Sequence, residues 1–121
     1  MSGAVKGYRE LIVWQKAMDL VEETYRLVKF LPKEELYSLS DQMRRAAVSI
    51  PSNIAEGQQR NSTKEFVKFL SIAQGSIAEL ETQYLICTRL KYLTVPQTQP
   101  TLDLCAELGR MINGLTSKLA E

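Results

Sequence analysis

From Phe66 to Cys87 the chain places an apolar residue at every fourth or third position. Phe66, Leu70, Ala73, Ile77, Leu80, Tyr84 and Cys87 keep a strict four-three alternation. That spacing aligns all seven on one side of a helix, whereas the period of two in a strand would scatter them over both faces. Phe69, Ile72 and Ser76 form a second row beside the first. An apolar face this wide predicts a helix with more than one neighbour. Ser62 is the candidate N-cap, and Glu65 lies three residues on, the spacing of a capping box.

Three more segments read the same way. Trp14, Met18, Val21, Tyr25 and Val28 alternate by four and three, with Ala17 widening the stripe, until Pro32 stops the helix. Leu39, Met43, Ala46, Ala47, Ile50 and Ile54 mark the second segment. In the last, Leu104, Leu108, Met111 and Leu115 form one row, and Leu102, Cys105, Ile112 and Leu119 another. Thr94 and Gln97 have capping spacing, but Pro100 interrupts, which sets the predicted start at about residue 100. Predicted helices cover about 11–31, 37–57, 63–92 and 100–120. No strand-like alternation occurs beyond Leu11. The expectation is an all-α, antiparallel up-and-down four-helix bundle forming one domain over residues 1–121.

The stretch SIPSNIAEG tests that expectation. Pro51 removes the backbone bond to the carbonyl of Ala47, at a cost of about 3 kcal/mol inside a helix. Either the helix kinks there and continues, with Ser49 or Ser52 helping the freed carbonyl, or it breaks and restarts at Ser52–Asn53. The four-residue step from Ile50 to Ile54 favours the continuous course. Gly57 is then expected as the helix stop, at positive φ. Asn53 has two readings. It bonds a neighbouring backbone group, the favoured one, or it joins Glu56 and Arg60 in a polar recognition spot.

Composition narrows function. The 121 residues contain no histidine, which removes the commonest general base and metal ligand. Cys87 and Cys105 are too few and too far apart for a zinc site, and their places on apolar stripes predict buried free thiols. Glu79 with Glu81, and Glu22 with Glu23, are one or two positions apart and do not share a helix face. Gly75, Gly109 and Gly114 stand alone within helices, so no phosphate-binding loop is present, and Gly75 with Ser76 is expected to admit a close helix approach. No catalytic residue, metal or cofactor is predicted. No apolar run approaches a membrane span, so neither a membrane partner nor a location outside the cytoplasm is expected.

With a net charge of +1, the chain as a whole lacks the basic excess of a nucleic-acid binder. Arg44, Arg45, Arg60, Lys64 and Lys68 are nevertheless candidate nucleic-acid contacts, expected around the junction of the second and third helices. The competing reading makes them a solvated surface with local ion pairs to residues such as Glu65. Surplus apolar surface on the first and third helices predicts self-association.

LIVWQKAMDLVEETY and LSDQMRRAAVSIPSNIAEGQQRNSTKEFVKFLSIAQGSIAELETQ carry a more specific signal. SIPSNIAEG, then R-x-S-x-x-E-F, then FL-x-IA-x-GS resembles the four-helix bundle proteins encoded in intervening sequences of bacterial 23S rRNA genes. The likeness runs from Trp14 to about Leu93. The motif residues are Pro51, Asn53, Glu56, Gly57, Ser62, Glu65 and Phe66, read as structural. The resemblance implies a non-enzymatic bundle assembling as a homopentamer, with a protein or nucleic-acid partner. That family is in turn similar to the accessory variability protein of diversity-generating retroelements, which implies an alternative role in binding RNA or DNA beside a reverse transcriptase. The near-neutral charge departs from that strongly basic relative.

Overall fold

The computed structural model describes residues 7–121. Four helices follow a single 3₁₀ turn at Tyr8–Glu10: α1 (Ile12–Val28), α2 (Leu39–Gln58), α3 (Thr63–Arg89) and α4 (Val95–Leu119). A second 3₁₀ turn, Lys33–Glu35, lies between α1 and α2. No strand occurs among the described residues.

Each helix packs against its neighbours in sequence, and α1 also closes on α4, while the diagonal pairs α1–α3 and α2–α4 make no backbone approach. Short links between long helices force neighbours antiparallel, so the order of contacts defines an up-and-down four-helix bundle. No helix is long and apolar enough to cross a membrane among the described residues.

Chemistry at the helix ends explains the boundaries. The Ser62 hydroxyl accepts the backbone N–H of Glu65 at 3.1 Å. That bond starts α3 at Thr63, as its capping signal predicts. The α3 helix ends earlier than expected, at Arg89. Lys91 adopts a left-handed φ of 63°, Tyr92 N donates to Cys87 O at 2.9 Å, and Lys91 N donates to Thr88 O at 3.1 Å. These two bonds are those of a Schellman stop, with lysine where glycine is usual.

The fourth helix starts five residues before its predicted position. Gln97 N donates to Thr94 Oγ1 at 3.2 Å and Thr94 N donates to Gln97 Oε1 at 2.8 Å, a complete capping box. Pro96 sits in the first turn, where no amide donor is needed, and Pro100 is carried one turn further inside the helix. Thr98 and Thr101 hydroxyls donate back to the carbonyls of Val95 and Thr98 at 3.2 and 2.7 Å.

The core row of α3 is the predicted one: Leu70, Ala73, Ile77, Leu80, Tyr84 and Cys87 are buried, with Phe66 half-buried at its end. In α1 the stripe is displaced. Val13, Ala17, Leu20, Thr24 and Leu27 face the core together with Val28, while Met18 and Tyr25 are exposed. Tyr84 crosses the bundle centre from α3, and its hydroxyl donates to Thr24 Oγ1 on the diagonal helix at 2.8 Å. That bond accounts for a threonine in the core row, since a buried phenol needs a partner.

Candidate interaction surface

The signature segment builds the α2–α3 hairpin. The α2 helix runs unbroken through Pro51 to Gln58, so the continuous course holds. The Ser49 hydroxyl is not turned to the Ala47 carbonyl. It lies 2.8 Å from the Ser76 hydroxyl across the helix pair, and Asn53 Nδ2 donates to Ser49 O and Ser49 Oγ at 2.8 and 2.9 Å. Asn53 is therefore bonded to neighbouring backbone. Glu56 accepts from Arg60 at 2.9 Å, and the Arg60 guanidinium lies 4.9 Å from the centroid of the Phe69 ring. Asn53 does not join the Glu56–Arg60 pair, so the alternative reading of a three-residue recognition spot is not met.

Gly57 has a different role from the predicted one. It lies inside α2, and its φ is not among the positive values in the chain. A Cβ at this position would stand 2.7 Å from Phe69 Cβ, 3.0 Å from Phe66 Cδ1 and 3.3 Å from the Phe66 carbonyl oxygen. The glycine is required because α3 comes against the α2 backbone there. At Gly75, where close approach was expected, a Cβ would meet nothing within 4 Å. A further polar contact joins α3 to α4, where Gln74 Nε2 donates to the carbonyl of Gly109 and to Asn113 Oδ1, both at 2.9 Å.

Displacement of the α1 stripe leaves an apolar strip on the outside. Trp14, Met18 and Val21 of α1 line a depression of about 360 Å³ together with Val48, Pro51 and Ala55 of α2. Tyr8 closes one end, its ring 5.3 Å from that of Trp14 in edge-to-face contact. At the other end, Tyr25 and Val48 border a second depression shared with Asp41, Arg44 and Arg45. Val48 and Ala55 lie outside the predicted α2 row. The signal that could have found this surface is a second row on α1, Val13, Ala17, Leu20 and Thr24, which keeps the same helical spacing as the predicted one.

The five basic candidates are not one cluster. Arg45 precedes the end of α2 by 13 residues, or about 20 Å of helix. Arg45 pairs with Asp41 at 3.0 Å, and Arg44 donates to the Leu36 carbonyl at 3.2 Å with Asp41 3.9 Å away. Arg60, Lys64 and Lys68 lie at the opposite end of the α2–α3 pair. Arg60 is held by Glu56, while Lys64 and Lys68 are exposed and join no ion pair among the described residues. Glu65 gives its backbone N–H to Ser62 but does not form an ion pair with either lysine.

Both cysteines are free and fully buried. Burial pushes the Cys87 thiol up to about 11 and the Cys105 thiol up to about 12, with smaller contributions from the Glu35 and Glu81 carboxylates. Such thiols stay protonated and unreactive near neutrality. Among the described residues, no three His, Cys, Asp or Glu side chains gather as a metal site.

A crystal structure of a protein of unknown function from the S23 ribosomal protein family of Bacteroides thetaiotaomicron superposes with a TM-score of 0.81 at 25% identity, covering 87% of this chain and 98% of that one. No curated protein matches the sequence. The description 23S rRNA-intervening sequence protein is carried by a family profile that matches residues 9–114, spanning all of α1, α2 and α3 and most of α4. With the signature hairpin and the bundle in agreement over that span, the chain belongs to the 23S rRNA-intervening sequence protein family.

Proposed function

We propose that this protein is a non-catalytic, self-associating bundle that serves as a scaffold or binding module, with the outer α1/α2 face as its assembly surface. The carrying observation is the contiguous apolar strip on the side of the bundle, where Met18, Tyr25 and Val48 are exposed and Trp14 and Val21 are half-buried. An apolar strip of this kind is covered by a partner in most soluble proteins, and identical copies in a closed ring are a common solution. Five subunits is the number implied by the family resemblance. A non-catalytic role is supported by the two buried thiols, which burial keeps protonated. Native mass spectrometry and light scattering test the assembly. A pentamer for the native chain and a monomer for the Met18→Glu, Val48→Glu double variant are expected; a native monomer at micromolar concentration would overturn it.

A second reading, RNA or DNA binding as an accessory to a reverse transcriptase, draws support from Lys64 and Lys68, one helical turn apart on the exposed start of α3. Binding that weakens with salt, and weakens further in the Lys64→Glu, Lys68→Glu variant, is its expected signature. Equal binding by the native and variant chains would remove it.

A further inference from the structure

Two links, residues 29–38 and 90–94, lie at one end of the bundle. The links are joined directly, because Tyr92 Oη donates to Glu35 Oε2 at 2.9 Å. Glu35 Oε1 also accepts the backbone N–H of Leu39, the first residue of α2. One carboxylate thus ties both links and the start of a helix into a fixed platform.

From this platform five large apolar side chains stand out into solvent: Phe30, Leu36, Tyr37, Leu90 and Val95. Tyr37 is 89% exposed and Val95 62%. The depression at this end, about 200 Å³, is bordered by only one of the five, Leu36. It is smaller than the roughly 300–1,000 Å³ of ordinary ligand pockets. The apolar groups therefore project outward and do not line a binding cavity.

Charge accompanies them. Lys29, Lys33, Arg89 and Lys91 lie in or beside the links, against the acidic Glu34 and Glu35, in a chain whose total is only +1. Glu35 is engaged by its two hydrogen bonds. Lys91 holds a left-handed backbone that a glycine would adopt more readily, and its side chain is exposed.

We infer that this end of the bundle is a docking surface for an anionic lipid bilayer, with Phe30, Leu36, Tyr37, Leu90 and Val95 entering the interface and the four basic residues meeting lipid headgroups. Exposed apolar side chains with three lysines and an arginine in or beside the same links suit a deformable plane, where alkyl stems bury and cationic groups stay at headgroup level. A nucleic acid offers stacking to Phe30 and Tyr37 and phosphates to the cations, but nothing to the three aliphatic side chains. A rigid protein partner is disfavoured by the lysines, which are depleted at such interfaces. No membrane span is needed for this mode.

Flotation of the full chain with vesicles tests the inference, using equal parts phosphatidylserine and phosphatidylcholine against phosphatidylcholine alone. Binding to the mixed vesicles only, weakening as salt rises, is expected. The Phe30→Ser, Tyr37→Ser variant alters exposed side chains and is expected to lose about tenfold or more in vesicle affinity. Lys91→Gly keeps the left-handed turn while removing the charge, and is expected to lose about fivefold. Circular dichroism on each variant establishes that the bundle is intact. Absence of binding by the native chain, or unchanged binding by the folded double variant, would overturn the proposal. So would oligonucleotide binding that depends on Phe30 and Tyr37 without any binding to vesicles.

Discussion

Gly57 and Phe69 meet with no room for a side chain on the glycine: a methyl group there would stand 2.7 Å from the Phe69 Cβ. The contact lies where α3 leaves the turn after α2, so it fixes the approach of the two helices that build the signature hairpin. Gly57→Ala is expected to destabilise the bundle. Overpacking costs about 1–3 kcal/mol, and the roughly 1 kcal/mol gained in helix propensity offsets only part of it. Gly75→Ala, where nothing lies within 4 Å, is expected to stabilise by up to about 1 kcal/mol. Urea denaturation midpoints of the two variants, shifted in opposite directions, check this.

The hydroxyl pair of Tyr84 and Thr24 is buried at the bundle centre. Tyr84→Phe leaves the threonine hydroxyl without its donor, and Thr24→Val leaves the phenol without its acceptor. Each is expected to cost about 1–3 kcal/mol. Removing both groups leaves no unsatisfied partner of the pair, so the double variant is expected to cost less than the sum. A double-mutant cycle in denaturant measures that coupling.

Thr94 holds both halves of a capping box, whereas Ser62 accepts one bond and the reciprocal Glu65 side-chain bond is not made. Thr94→Ala is expected to cost about 1–2 kcal/mol and Ser62→Ala about 1 kcal/mol. Amide hydrogen exchange over the first turn of α4 is expected to quicken selectively in the Thr94 variant.

Cys87, Cys105 and Tyr84 all have their proton affinity raised by burial. The unfolded chain releases its thiol protons near 9.0, while the folded chain holds them to about 11 and 12. Above about pH 9 the unfolded state therefore binds fewer protons than the native state, and stability falls as pH rises toward that upper range. Below pH 9 these thiols leave stability unchanged. Denaturant midpoints measured across this window are expected to decline, and the decline is expected to flatten in the Cys87→Ala, Cys105→Ala variant. A thiol reagent at neutral pH is expected to report no reaction until the bundle unfolds.

The family signature is legible as text, but its mechanics are not. Pro51 and Ile54 suggest one continuous helix because the apolar step survives the proline, and Asn53 follows the local bonding habit of its side chain. Gly57 reads as a stop in one dimension. Its actual constraint comes from Phe66 and Phe69, which lie beyond the turn and reach it only when α3 folds back.

The α3 stripe, the Ser62 cap and the four-helix architecture follow from the sequence alone, because each depends on spacing within one helix or on a cap three residues away. The choice of inner row on α1 does not. Trp14–Met18–Val21–Tyr25 and Val13–Ala17–Leu20–Thr24 have the same helical spacing, and the first is the more apolar by type. Docking selects the second, since small Ala17 fits among packed helices and Thr24 offers an acceptor to the Tyr84 hydroxyl arriving from across the bundle. Periodicity determines that a face is buried; only the shape and hydrogen-bonding needs of the opposing helices determine which face it is.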